Sequence, residues 1–318
     1  MREEISTREA FGEALAELGE INKDVVVIDA DISKSTYTTT FHKKFPDRAF
    51  NVGVAEQDLM LVAAGLATTG KIVFTSTYAV FASMRACEQV RTFICYPNVN
   101  VKIHASHGGI QVGADGPTHQ GTEDIAIMRA LPNMKVIHPA DAIATKKAVF
   151  EIAKDYGPTY LRTMRNPTPI IYDDSYKFEI GKGNIVLDEG NDVAIIATGI
   201  MVLMALEAAK ILKERGIRVK VVDISTIKPI DSELIINLAK NTGGIVTCED
   251  HNIIGGLGSA VAEVLVENYP VPMKRIGLKD TFGESGNWKE LFDIYGLSPK
   301  HIAEACIDIV KNKIPPLK

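Results

Sequence analysis

Hydrophobic and polar positions change period along this chain in an order that alternates helix with strand. Over residues 7–21, Phe11, Leu15 and Leu18 recur at helical spacing, and Ser6-Thr7 beside Glu9 resembles a helix start. The short apolar run 25–29 that follows has the pattern of a buried strand. Further strands are predicted at residues 72–74, 99–104, 135–138 and 159–161, with helices over 57–67, 81–93 and 142–154 between them. Near Arg165 the rhythm breaks: Pro158, Pro167 and Pro169, then Asp173-Asp174-Ser175, mark a linker. A second series resumes with strands at 193–197, 219–222 and 244–249 and helices at 202–215 and 259–267. Such alternation predicts an α/β fold of two domains, each a mainly parallel sheet flanked by helices. Residues 1–165 form the first, 166–185 the linker and 186–318 the second. Ligands of such sheets sit at strand ends, so the loops after Asp29, Phe50, Phe74, His104 and Thr163 are where chemistry is expected.

Composition narrows the function classes. The length of 318 residues suits two domains, and 46% hydrophobic with 24% charged residues is ordinary for a soluble globular protein. A formal net charge of -5 without a basic stripe argues against nucleic-acid and anionic-membrane binding. No stretch reaches the roughly 18 to 20 apolar residues of a membrane span. The opening residues lack the apolar core of a secretory signal. Cys87, Cys95, Cys248 and Cys306 are scattered without metal-ligand spacing, which suits reduced thiols in a cytoplasmic protein.

Three segments could carry chemistry. In Asn51-Val52-Gly53-Val54-Ala55-Glu56-Gln57 a strand pattern ends in a glycine turn, with Glu56 at the threshold of a helix. In an apolar crevice such a carboxyl could exchange protons near neutrality. Taken alone, an acid favoured by the helix dipole explains it as well. Tyr78, Phe81 and Met84 fall three apart and would share a helical face, either as a flat pocket for a heteroaromatic ring or as plain core. The run from His107 to Gln120 holds four glycines, a proline, two histidines and Asp115, which predicts a long, functional polar loop.

Other chemistries fit less well. His104 and His107 would lie on opposite faces of a strand, and no HExxH or clustered carboxylates accompany them, so no metal site is expected from this chain alone. No GxSxG elbow is present. Gly255-Gly256-Leu257-Gly258 lacks the third glycine of a nicotinamide fingerprint and is expected to serve close packing at a helix start.

In this order the segments resemble the C-terminal two-thirds of transketolase, and the resemblance covers essentially the whole chain. Gly53-Val54-Ala55-Glu56-Gln57 is similar to the glutamate motif shared with deoxyxylulose-phosphate synthase and the β subunits of 2-oxoacid dehydrogenases. Asp115-Gly116-Pro117-Thr118-His119-Gln120 favours transketolase or the synthase over those β subunits. Leu131-Pro132-Asn133, Pro139-Ala140-Asp141, Glu249-Asp250-His251, Phe282-Gly283-Glu284-Ser285-Gly286 and Tyr295-Gly296-Leu297 resemble later family segments. The resemblance implies ketol transfer from a ketose phosphate to an aldose phosphate, with thiamine diphosphate and Mg²⁺ or Ca²⁺. It also implies that Glu56 bonds N1′ of the cofactor's aminopyrimidine, with Tyr78, Phe81 and Met84 on the ring and Asp31 and Ile32 beside it. His107, Asp115 and His119 would line the substrate channel, and Arg165, with Arg8 and Ser35, would grip the sugar phosphate. Met84, where relatives often have an aromatic residue, and Gly108-Gly109, where they often have Asp-Ser, depart from the pattern. The family's diphosphate-binding GDG motif is absent. A separate N-terminal, diphosphate-binding subunit in an α2β2 assembly is therefore expected to hold the metal and the other end of the cofactor, unless the chain is a fragment. A split synthase, a dehydrogenase subunit and a catalytically silent structural partner are the alternatives.

Overall fold

The computed structural model describes residues 4–313. In chain order the strands are β1 (Glu4–Ile5), β2 (Val25–Asp29), β3 (Ala49–Asn51), β4 (Ile72–Tyr78), β5 (Val101–Ser106), β6 (Lys135–Ile137), β7 (Thr159–Arg162), β8 (Thr168–Pro169), β9 (Asn184–Asp188), β10 (Val193–Ala197), β11 (Val219–Asp223), β12 (Thr226–Lys228), β13 (Ile245–Asn252) and β14 (Met273–Leu278). Two large sheets result, each with helices on both faces, beside a two-stranded antiparallel pairing of β1 with β8. The first has the order β12-β6-β7-β5-β4-β2-β3 and is parallel except for β12. The second has the order β14-β13-β10-β11-β9 and is parallel except for β9. The chain forms no helix or strand between Pro169 and Asn184.

The apolar run of β2 shows how the sequence builds these layers. Val25 and Val27 pack with Phe11 and Leu15 of the helix Thr7–Ile21 and with Val149 and Ile152 of the helix Ala142–Lys154. Val26 and Ile28 point the other way, onto Leu59, Met60 and Ala63 of the helix Glu56–Ala67. A strand buried on both faces needs a continuous apolar run, because successive side chains alternate sides. The same logic holds in β10. Val193, Ile195 and Ala197 face the core of the second sheet. Ala194 and Ile196 join a cluster that continues into the first domain.

The structure departs from the periodicity in three places. Residues 81–93 form no regular α-helix: π-helical turns at Phe81–Arg85 and Val90–Cys95 flank a single turn at Cys87–Gln89. The Ser83 hydroxyl donates to the Ala79 carbonyl at 2.7 Å, competing with the normal ladder at the place where π-turns form. Strand β4 runs on to Tyr78. Six strands had no range assigned from the sequence, and of these β1 and β8 have only two residues each. β3 and β12 have three residues each, too few for a period, while β9 and β14 are edge strands with exposed polar positions. Among the described residues no helix is long and apolar enough to cross a membrane. All four cysteines are free, and three are buried.

Candidate active site

The C-terminal ends of β2, β3, β4 and β5 converge on one cleft. After β3 the chain turns at Gly53, whose φ of +76° suits glycine and whose N–H donates to the Asn51 side chain at 2.8 Å. That turn delivers Glu56 to the first position of its helix, where it is only 3% exposed. The crevice is not wholly apolar, which corrects the expectation from sequence: Arg85 donates to Glu56 Oε2 at 3.0 Å. The same guanidinium lies 4.2 Å from the centre of the Phe81 ring. Beside Glu56 opens a cavity of about 560 Å³, lined by Val54, Gln57, Asp58, Leu61 and Arg85 among others.

Four rings cluster beyond Arg85, beginning with Phe81. Tyr78 lies 4.0 Å from His107, 5.9 Å from Phe81 and 5.8 Å from His119, and Phe81 lies 5.5 Å from His119. Glu56 is therefore joined through Arg85 and Phe81 to the loop carrying Asp115 and His119. Met84 stays 44% exposed, in a π-turn that breaks the three-residue repeat expected to align it with them. Asp31 and Ile32 follow β2 at the rim. Asp31 has φ +64°, and its carboxylate accepts from Asn51 at 2.8 Å.

At the far end of the cleft, His107 shares a hydrogen bond with Ser106 Oγ at 2.8 Å. Burial, with Arg8 and Arg165 nearby, pushes its pKa down to about 3. It is thus a neutral imidazole, and its 3.8 Å approach to Asp115 is not an ion pair. Asp115 instead pairs with Arg165 Nε at 3.3 Å. Arg8 donates to the Ser35 carbonyl at 2.8 Å, while its Nε is buried with no partner among the described residues. Burial lowers the pKa of Arg8, and the charge of Arg165 adds to the shift. Two guanidiniums that repel each other, one with an unused donor, make a place for an anion.

Sequence reasoning missed Arg85 and a buried polar seam between the domains. Arg162 is fully buried, and it donates to Asp124 Oδ2 at 2.9 Å and to the carbonyls of Gly121 and Asp250 at 2.7 and 3.0 Å. Asp250 Oδ1 and Oδ2 accept from the backbone N–H groups of Ile110 and Gln111 at 2.8 and 3.0 Å. Arg162 and Asp250 stand at or near the end of a strand, where a buried charge has to find a partner elsewhere in the fold. The Gly255–Gly258 turn serves packing, as expected. Glu249 accepts from Leu257 N and Gly258 N at 2.6 and 2.8 Å, so the helix start already holds the chain's own carboxylate.

A buried carboxyl at a helix start, linked through Arg85 to a cluster of rings, fits the aminopyrimidine end of thiamine diphosphate. Among the described residues no group of three or more His, Cys, Asp or Glu could hold a metal ion.

Comparison with known proteins gives the family. The transketolase pyrimidine-binding domain matches residues 3–169, and the transketolase C-terminal domain matches residues 181–302. A Methanocaldococcus jannaschii protein that carries the provisional name transketolase C-terminal section is 52% identical over 309 residues, covering 96% of each chain. A 6-deoxy-6-sulfo-D-fructose transketolase subunit from a Clostridium species is 41% identical, covering 98% of this chain and 96% of its own. A solved structure described as split gene transketolase, inactive beta4 tetramer, superimposes with a TM-score of 0.92 at 51% identity, covering 98% of this chain and all of that one. This chain belongs to the transketolase family and carries its pyrimidine-binding and C-terminal domains.

Proposed function

We propose that this chain is the pyrimidine-binding subunit of a two-chain transketolase, moving a two-carbon ketol unit from a ketose phosphate to an aldose phosphate. The observation that carries this reading is buried Glu56 linked through Arg85 to the ring cluster of Tyr78, Phe81, His107 and His119. The domain limits proposed are 1–165 and 186–318, with 166–185 between them.

When bound, thiamine diphosphate supplies the carbanion chemistry that breaks and makes the carbon–carbon bond. Glu56 holds the shared proton at the aminopyrimidine nitrogen, in a pocket dry enough to strengthen that hydrogen bond. Tyr78 and Phe81 pack on the ring, and Asp31 and Ile32 lie at its edge. Neutral His107, its Nδ1 already bonded to Ser106 Oγ, has Nε2 left for a sugar hydroxyl, with Asp115 and His119 beside it. Arg165 and Arg8 hold the anionic end of the sugar, with Ser35 fixing Arg8 through its carbonyl. Mg²⁺ or Ca²⁺ and the diphosphate belong to a partner subunit in an α2β2 assembly.

The sulfo-sugar relative supports testing sulfonate as well as phosphate, since both are anions a guanidinium pair can hold. The test is reconstitution with a diphosphate-binding subunit, thiamine diphosphate and Mg²⁺, offering phosphorylated and sulfonated ketoses to an aldose phosphate. Ketol transfer is expected. A complex that forms but transfers nothing makes this chain a silent structural partner. Carbon dioxide release from pyruvate would identify a deoxyxylulose-phosphate synthase instead, and reduction of lipoyl groups a dehydrogenase subunit.

A further inference from the structure

We infer that Asp250 of the C-terminal domain is a positioning residue for the anion-holding end of the site, acting through Gln111 on Arg165. The inference rests on the transketolase reading for the role of Arg165, and on geometry for everything else.

Asp250 is 1% exposed, near the end of β13, and spends both carboxylate oxygens on consecutive backbone N–H groups of the loop after His107. This contact requires Gly109. A Cβ there would collide with the Asp250 carboxylate, and its φ of +77° already favours glycine. A Cβ on Gly108 would meet the Arg162 guanidinium in the same way. The Gly108-Gly109 pair, a departure from the family pattern, is therefore the space through which the second domain reaches the loop.

The clamp passes directly to Gln111, whose own side chain is fully buried. Gln111 Oε1 accepts from the backbone N–H groups of Arg165 and Asn166, both at 3.2 Å, and Gln111 Nε2 donates to the Asn166 carbonyl at 3.2 Å. Asn166 Nδ2 returns a hydrogen bond to the Gln111 carbonyl at 2.5 Å. Asp250 thus fixes the backbone of Gln111, and the Gln111 amide fixes the backbone from which Arg165 extends. The far end of the loop is tied separately, by Arg162 on the Gly121 carbonyl at 2.7 Å. Loosening the Asp250 end alone frees Arg165 while leaving Glu56 and the ring cluster in place.

The test compares Asp250→Asn, Asp250→Ala and Gln111→Ala in the reconstituted two-chain complex, using one ketose with and without its phosphate. Gln111→Ala and Asp250→Ala are expected to raise KM for the phosphorylated ketose by ~10-fold or more, the scale of lost buried hydrogen bonds, with a much smaller effect on the unphosphorylated ketose. Asp250→Asn keeps one acceptor and should fall between. Equal losses on both ketoses, with KM unchanged, mean a merely structural role and overturn the inference. Hydrogen exchange on the chain without its partner gives a second readout. The Ile110 and Gln111 amides should exchange faster in Asp250→Ala while β10 and β11 stay protected, and unchanged rates there also overturn it. If the wild-type complex transfers no ketol unit, the functional reading fails, and hydrogen exchange still decides the clamp.

Discussion

Glu56 sits where two demands meet, and their magnitudes separate them. Its pair with Arg85 is half open to solvent on the arginine side, so it adds at most ~1 kcal/mol to stability. Its proton transfer, in the proposed role, is worth ~10²- to 10⁴-fold in turnover. Glu56→Gln keeps the shape and the helix start, so the reconstituted enzyme should lose turnover on that scale while its melting temperature shifts by only a degree or two. Equal losses of fold and activity would point to a structural acid instead. Arg165→Ala makes a different prediction, because a guanidinium that holds an anion acts on binding. KM for phosphorylated ketoses should rise with kcat little changed, and a fall in kcat at constant KM would place Arg165 in the chemistry.

At the scale of elements, Asp141 shows how one side chain can hold three pieces of chain together. It caps the helix Ala142–Lys154 by accepting from Ala144 N at 2.8 Å, and its other oxygen accepts from Ile171 N and Tyr172 N at 2.7 and 2.8 Å. Asp141→Ala should cost about 1 kcal/mol for the cap and about 1–3 kcal/mol more for the two stranded N–H groups. A lowered urea midpoint with an unchanged slope is the expected reading. That helix was legible to the residue, as were the helix Thr7–Ile21 and the strands β2 and β10, because each carries its full period within its own span. Glu56 and the His107–Gln120 loop could be singled out for a related reason, reactive side chains close to glycines, and Tyr78 and Phe81 by their three-residue spacing. Strand β12 could not be read, since its partner β6 lies some ninety residues earlier and three residues carry no period. Arg85, Gln111 and Asp250 were missed alike, because their meaning lies in partners that local spacing does not encode.

Across the whole molecule, the cost of one fold from two sheets is a set of ionisable groups left dry. One apolar cluster runs from Val26 and Ile28 through Ala194 and Ile196 to Leu257, so the two domains share a core and little water reaches what lies along it. Burial pushes Asp223 up to about 7, although Tyr172 Oη and Ser225 Oγ donate to it at 2.8 and 2.9 Å and pull it down. Burial likewise pushes Glu249 up to about 7 and Asp250 up to about 6. The buried His104 and His138 shift the other way, held well below the usual imidazole range. The signs follow from linkage. A carboxyl raised in the folded state contributes stability that is complete below its unfolded pKa of about 4 and is lost as pH rises through the folded value. An imidazole lowered in the folded state costs stability below its unfolded pKa of about 6.5. The acids therefore oppose the alkaline side and the histidines the acidic side. Asp223→Asn isolates one acid, because wild type and variant share every other titrating group. The amide cannot ionise, so the melting temperature of the variant relative to wild type should rise from pH 5 to about pH 7 and level off above that. A difference that stays level over that range would show Asp223 to be already charged in the folded chain at pH 5, with its two hydroxyl donors outweighing its burial.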